Sequence, residues 1–156
     1  MVIILDNLRS AHNVGSIFRT ADAFGVDEIY LCGTTPTPID KFERDRKDIG
    51  KVALGAEKTV PWKYCSSAVR AVNALKKKGF NIISVEQTKD SLTPAEFVKK
   101  YKEAKTVFIF GNEVEGVSEK ILKISDDVLE IPMFGKKESL NVSVAFGIAL
   151  FISKAL

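Results

Sequence analysis

Short apolar segments alternate with helix-like segments along this chain, and this alternation most strongly limits its fold. Residues 2–5, 28–32, 81–85, 106–110 and 128–131 are short runs rich in β-branched and aromatic side chains, which is typical of buried strands. The segments between them carry apolar residues every three or four positions, which predicts amphipathic helices. Strands that alternate with helices build a mainly parallel sheet. We therefore predict an α/β protein, with a mainly parallel sheet flanked by helices.

Two segments fit this alternation less clearly. Residues 40–58 mix acidic and basic side chains and predict short helices joined by loops. Residues 60–64 alternate in polarity like a strand, but Pro61 lacks a backbone N–H and favours an edge strand or a connector. Cys65 stands at the opening of a helix pattern that runs to Lys78.

Three stretches place small and polar residues where a predicted strand passes into a helix. They are HNVGSIFRTADAFG (12–25), VFIFGNEVEGVS (107–118) and IPMFGKKESLNVSVAFG (131–147). Open parallel sheets bind ligands at the carboxyl ends of their strands, so these stretches mark a candidate site near the C-terminus. Neither GxGxxG nor GxxxxGK[ST] occurs, which disfavours a dehydrogenase or a nucleoside triphosphatase.

Composition narrows the class of protein further. The 156 residues suggest one domain, and no apolar run reaches the ~20 residues of a membrane span. Two cysteines without CxxC spacing and a single histidine cannot make a standard zinc site, so no metal is expected. We interpret the cysteines as reduced residues of a cytoplasmic protein. The net charge of +3 permits an RNA partner, and Lys136 with Lys137 is the lysine cluster best placed to contact phosphate.

The last predicted helix, residues 140–156, is apolar around nearly its whole circumference. A helix of this kind is buried on all sides. A domain of this size rarely encloses its last helix, so a second copy of the chain is the simplest cover. The pattern therefore predicts a homodimer.

Several polar residues of the three stretches are candidates for chemistry. Asn13 lies near the start of the first helix pattern, where asparagine caps well. Arg19 lies about 600° further around that helix and does not share a face with Asn13. Its planar guanidinium suits phosphate, although an ion pair with Asp22 is the plainer alternative. Ser139 or Asn141 is predicted to cap the last helix.

Taken together, NVGSIFRTADAFG, GNEVEGVS and IPMFGKKESLNVSVA resemble the three motifs of the SpoU (TrmH-type) family of SPOUT RNA methyltransferases. The resemblance runs from Leu5 to the C-terminus. It implies methylation of a ribose 2′-hydroxyl in tRNA or rRNA, with S-adenosylmethionine as the methyl donor. It also implies a C-terminal deep trefoil knot and a homodimer formed through the first and last helices. Because Val2 already begins the first strand, we expect a single SPOUT domain over residues 1–156 with no N-terminal RNA-binding extension.

The resemblance also assigns roles to residues. Arg19 matches the family's catalytic arginine, Asn13 its supporting asparagine, and Glu113 the acid that is expected to orient Arg19 or the RNA. The implied cofactor-binding residues are Gly111, Ile131, Met133, Ser139, Leu140 and Asn141. The segment 84–87 is expected to line the same cleft. A guanidinium does not readily deprotonate, so an orienting and electrostatic role for Arg19 is favoured over that of a base.

Three alternatives compete with this interpretation. A non-catalytic knotted RNA-binding dimer would be expected to lack Arg19, Asn141 or the cofactor glycine, and all three are present. A SPOUT relative that methylates a base nitrogen resembles the family less in its third motif, and SLNVSVA disfavours it. A generic nucleotide-binding α/β module would bind S-adenosylmethionine no better than ATP.

Overall fold

The protein contains a single parallel β-sheet. The structure, a computed structural model, describes all residues 1–156. Its strands are β1 (Val2–Asp6), β2 (Glu28–Cys32), β3 (Trp62–Cys65), β4 (Asn81–Val85), β5 (Thr106–Phe110) and β6 (Asp127–Leu129). They lie in the order β3-β2-β1-β5-β4-β6, and every neighbouring pair is parallel. The predicted α/β fold is confirmed, and β2, β4 and β5 have the bounds that the sequence predicts.

Seven helices connect and cover the strands. They are α1 (Ala11–Ala23), α2 (Lys47–Ala53), α3 (Ala56–Thr59), α4 (Ala68–Lys76), α5 (Pro94–Tyr101), α6 (Glu119–Leu122) and α7 (Val142–Ala155). The segment 40–58 contains only the short helices predicted for it, except that α3 ends one residue later. None of the seven helices combines the length and the apolar composition of a membrane span.

The side chains of each strand point alternately to two separate cores. The larger core contains 24 buried residues, including Ile3 and Leu5 of β1 together with residues of α1, α2, α3, α5 and α7. The smaller contains 13, including Val2 and Ile4 with residues of α4 and α6. Because the central strands are buried on both faces, they read as continuous apolar runs in the sequence.

Two predicted boundaries near the site are wrong. The last strand ends at Leu129 and not at Ile131, because beyond the Val85–Leu129 pair the N–H of Glu130 donates to the carbonyl of Leu92 and not to β4. Ile131 therefore lies in the loop beyond the sheet. The last helix begins at Val142 and not at residue 140, because Asn141, one of the two residues predicted to cap it, is its N-cap.

Two local predictions elsewhere also need correction. Helix α1 begins at Ala11 with Ser10 as its cap, so Asn13 lies in the first turn and does not cap the helix. Cys65 is the last residue of the edge strand β3, opposite Cys32 of β2 in the strand register, and does not open a helix. Its helix starts three residues later at Ala68, after Ser67. Both cysteines are free.

Helix α7 is buried on one side only within a single chain. Phe146, Ala149 and Leu150 are fully buried, whereas Val144 and Phe151 are 49% and 52% exposed. Helix α7 packs on α1 and α5. An apolar surface next to α1 thus remains uncovered in the protomer, and the homodimer stays a prediction.

Candidate active site

A cavity of about 660 Å³ lies beyond the carboxyl ends of the neighbouring strands β4 and β5. Three loops form it, residues 86–88, 111–117 and 131–141, with the start of α7 closing one side. The second and third of the motif stretches supply most of its walls, at the edge of the sheet where the sequence predicts a ligand.

Glycine is required at both ends of the loop that follows β5. A Cβ atom at Gly111 would overlap the backbone carbonyl of Gly116, and Gly116 itself has φ of +68°. Between them, the Oδ1 atom of Asn112 accepts hydrogen bonds from the N–H groups of Val114 at 2.8 Å and Glu115 at 3.2 Å. The loop is therefore a tight turn with a fixed shape.

Hydrogen bonds of Glu86 and Gln87 connect the first loop to the other two. The Oε2 atom of Glu86 accepts a hydrogen bond of 3.0 Å from the N–H of Val117. The amide Nε2 of Gln87 donates a hydrogen bond of 3.0 Å to the carbonyl of Glu138. The sequence predicts that residues 84–87 line the cleft but singles out no residue among them. The sequence feature that could have identified Glu86 and Gln87 is their position as a polar pair directly after a buried strand.

All six predicted cofactor-binding residues line the cavity: Gly111, Ile131, Met133, Ser139, Leu140 and Asn141. The backbone N–H and C=O groups of Gly111, Ile131, Met133 and Leu140 make no hydrogen bond within the protein. Gly111 is buried, and buried backbone groups normally have partners. Because all four residues line one cavity, their free donors and acceptors are available to a ligand with several polar edges.

The charge of the cavity wall distinguishes between classes of ligand. Its charged residues are Glu86, Glu113, Glu115 and Glu138, and no lysine, arginine or histidine lines it. A triphosphate would meet carboxylates without a compensating cation, which disfavours ATP and a generic nucleotide-binding module. A sulfonium cation is attracted by the same wall, so the residues present fit S-adenosylmethionine.

A hydrogen-bond network joins the three motif stretches. Glu113 accepts hydrogen bonds from the N–H groups of Arg9 at 3.0 Å and Ser10 at 3.2 Å and from the Asn13 amide at 3.0 Å. The Oδ1 atom of Asn13 accepts from the Nδ2 atom of Asn141 at 3.1 Å. The first helix is thereby attached to both walls of the cavity.

The network also sets the pKa of Glu113. Partial burial raises the pKa of this carboxyl, but the hydrogen bonds from Arg9, Asn13 and Ser10 outweigh it, so the pKa lies below its ordinary value. A lowered folded-state pKa stabilises the protein above the unfolded pKa of about 4.3, and this stabilisation is lost as the pH falls through the folded value.

Glu113→Gln is accordingly expected to lower the free energy of unfolding by about 1 kcal/mol at pH 7, a value discounted for the exposure of the site. The difference between the wild type and the variant should shrink as the pH falls from 5 to 3. Urea denaturation at several pH values measures it. A difference that does not change with pH would mean that the carboxylate charge has no part in holding α1.

Arg19 lies outside this network and outside the cavity of its own chain. It is exposed on α1, and its side chain makes no hydrogen bond or ion pair. The alternative ion pair with Asp22 is absent, and Asp22 instead accepts a hydrogen bond of 2.8 Å from the hydroxyl of Thr59. Buried Asn13 and exposed Arg19 occupy different faces of α1, as their spacing predicts.

Similarity to known proteins extends over nearly the whole chain. The chain matches the SpoU rRNA Methylase family over residues 1–151. It belongs to this family. It is 33% identical over 154 residues to the tRNA (guanosine(18)-2′-O)-methyltransferase of Aquifex aeolicus, covering 97% of this chain and 67% of that protein. It is also 33% identical over 150 residues to the 23S rRNA (guanosine-2′-O-)-methyltransferase RlmB of Neisseria meningitidis, covering 96% and 56% of the two proteins.

Solved structures agree with this assignment. The TrmH/SpoU tRNA modifying enzyme of A. aeolicus superposes with a TM-score of 0.82 at 31% identity, over 99% of this chain and 73% of that chain. The AdoMet-bound rRNA methyltransferase of Sinorhizobium meliloti superposes with a TM-score of 0.87 at 25% identity, over 99% and 55%. The predicted family, the methyltransferase class and S-adenosylmethionine as cofactor are confirmed. The chain spans little more than half of several of these relatives.

Proposed function

We propose that this protein transfers a methyl group from S-adenosylmethionine to the 2′-oxygen of a ribose in tRNA or rRNA, with release of the demethylated donor and of the hydroxyl proton to solvent. The observation that carries this proposal is the cavity wall, with four carboxylates, no cation and unpartnered backbone groups at Gly111, Ile131, Met133 and Leu140. The relatives of this chain that carry a specific name methylate a ribose 2′-oxygen of guanosine in tRNA or 23S rRNA, which supports the same class of acceptor here.

Different residues of the chain bind the donor and position the first helix beside it. When bound, S-adenosylmethionine supplies an electrophilic methyl group on a positively charged sulfur. The free backbone groups of Gly111, Ile131 and Leu140 hold the donor, and the adjacent glutamates favour its charge. Ser139 and Asn141 border the cavity from the start of α7. Asn13, fixed between Glu113 and Asn141, positions α1 relative to the donor.

In this proposal Arg19 acts on the ribose that accepts the methyl group. Its planar, positively charged guanidinium orients the RNA and stabilises negative charge that develops on the ribose oxygen. Its exposure on α1 leaves it free to contact a phosphate or a second chain.

We also propose that the chain pairs as a homodimer through α1 and α7. The uncovered residues Val144 and Phe151 on α7 lie beside α1 and form an apolar surface that a second copy would bury. Such a dimer places Arg19 at or beside the interface. Sedimentation equilibrium measures the assembly, and a monomer at micromolar concentration would contradict it.

The deep trefoil knot is part of the same proposal. After β6 at the sheet edge, the chain returns through residues 130–141 to α7, which packs on α1 and α5. On this route it passes the loops held by Glu86 and Gln87. A crystal structure of the donor complex would trace the threading directly. We further assign the protein to the cytoplasm, in keeping with two free cysteines.

Two measurements test the proposed function. Calorimetry should detect binding of S-adenosylmethionine and of its demethylated product, and no binding of ATP at the same concentration. Mapping of 2′-O-methylation across tRNA and rRNA should then show one or more sites lost in cells that lack the gene. Binding of ATP with equal affinity, or loss of a base methyl group instead of a ribose methyl group, would refute the proposal.

A further inference from the structure

Phe134 is the most exposed large apolar side chain of the molecule. It is 95% exposed, and it directly follows Met133 in the wall of the cavity. Consecutive Cα atoms lie about 3.8 Å apart, so its ring begins one residue from the place where the donor binds. The space beside it is open as well, because nothing lies within 4 Å of a Cβ built on the next residue, Gly135.

Two lysines follow Phe134 in the same loop, and neither has a partner within the protein. Lys136 and Lys137 are exposed, and neither forms an ion pair or a hydrogen bond. This contrasts with the exposed ring of Phe42, over which Lys41 and Arg44 lie at 5.0 and 4.9 Å from the centroid. Both faces of the Phe134 ring are thus available, with two free ammonium groups within three residues.

An open aromatic face next to unpaired cations is the arrangement that binds single-stranded nucleic acid. Every base has a π face that stacks on an aromatic ring, and lysines neutralise the phosphates beside it. A purely apolar protein partner would leave the two lysines without a counterpart, whereas an RNA strand uses both features. The position at the cavity mouth also fits, because the acceptor ribose must reach the donor there.

We infer that the loop 132–138 is a substrate-binding element, in which Phe134 stacks on an unpaired base next to the methylated ribose and Lys136 and Lys137 contact the flanking phosphates. This inference rests on the proposed function. It adds a binding site for the RNA strand at the rim of the donor cavity. The stacked base would be flipped or looped out, so the element selects for unpaired RNA.

Phe134→Ala tests the stacking contact. We expect it to weaken binding of RNA by about 5- to 150-fold, the usual effect of losing one base–aromatic stack. The Kd for S-adenosylmethionine should remain within about twofold, because the ring does not contribute to the cavity wall. The RNA probe is bulk tRNA and rRNA from cells that lack the gene, and both KM for RNA and Kd for the donor are measured on the full chain.

Matched variants distinguish base stacking from a plain apolar contact. Phe134→Trp should restore binding because it keeps a π face, and Phe134→Leu should not, although it stays apolar. Phe42→Ala removes another exposed ring and should leave RNA binding unchanged. If Leu restores binding as well as Trp does, or if Phe134→Ala dissociates the dimer in sedimentation, the ring contacts protein and the inference is overturned.

Salt dependence tests the lysines. Lys136→Gln with Lys137→Gln should reduce the slope of log Kd for RNA against log salt concentration by about 1.4, from two lost phosphate contacts on a single strand. Lys77→Gln with Lys78→Gln, an exposed pair beyond α4, is the control and should leave the slope unchanged. Equal slopes for both double variants would overturn the inference. Failure of the wild type itself to methylate any RNA would instead refute the proposed function, so the two failures are distinguishable.

Discussion

Arg19→Ala is expected to lower the rate of methyl transfer to RNA by about 100- to 1000-fold, the usual effect of removing one group that stabilises charge in the transition state. The affinity for S-adenosylmethionine should change by less than about twofold. The reason is structural, because Arg19 does not line the cavity of its own chain and makes no contact with the network around Glu113. Single-turnover kinetics and calorimetry measure the two quantities.

Two further variants sharpen this prediction. Arg19→Lys keeps the positive charge but not the planar fork, and it should recover only a small part of the rate. Arg70→Ala removes an exposed arginine from α4, on the opposite face of the sheet, and should have no effect. Loss of donor affinity in parallel with activity would contradict the separation of binding from chemistry.

The exposure of Arg19 raises the question of which cavity it serves. If a homodimer forms through α1 and α7, the guanidinium can act on the cavity of the partner chain. Mixing Arg19→Ala chains with chains whose cavity is disabled would then restore about a quarter of the wild-type activity, because half of the dimers would carry one intact site of two. No recovery after verified exchange of subunits would mean that each chain uses its own arginine.

The sheet could be predicted from sequence because its central strands are buried on both faces. The runs 28–32 and 106–110 contain few polar residues, so hydrophobicity and strand pairing begin and end together. The last strand shows where this fails. The apolar Ile131 was included in the predicted strand, but pairing stops at Leu129, and Ile131 lines the cavity instead.

The candidate site was predictable where the motif residues themselves line the cavity. Gly111 and Leu140 line the cavity as the resemblance implies. The surroundings of Asn13 were not predictable from local patterns, because both Ser10 and Asn13 are good cap residues. A contact with Glu113, separated by 100 residues, decides between them. The segment 84–87 was predicted to line the cleft, but Glu86 could not be singled out within it, since its partner Val117 is 31 residues away.

Gly111→Ala is expected to abolish detectable binding of S-adenosylmethionine, a loss of more than about 100-fold in affinity. The added methyl group would overlap the carbonyl of Gly116, which is a backbone group and not the end of a flexible side chain. The backbone of the loop must therefore move, and overpacking of this kind destabilises a fold by about 1–3 kcal/mol. Because the same loop offers the free polar groups of Gly111 to the donor, a shift there removes binding before it unfolds the protein.

Gly135→Ala provides the matched control for this prediction. It adds the same methyl group to another loop residue near the cavity, but nothing lies within 4 Å of the new Cβ atom, and Gly135 is not in the left-handed region. Its affinity for the donor should equal that of the wild type. Calorimetry on both variants, with near-ultraviolet circular dichroism to verify the fold, measures the difference. If folded Gly111→Ala bound the donor as tightly as Gly135→Ala, the loop after β5 would not be the cofactor-binding loop. The proposal that backbone groups bind the donor while Arg19 acts on the acceptor ribose would then be wrong.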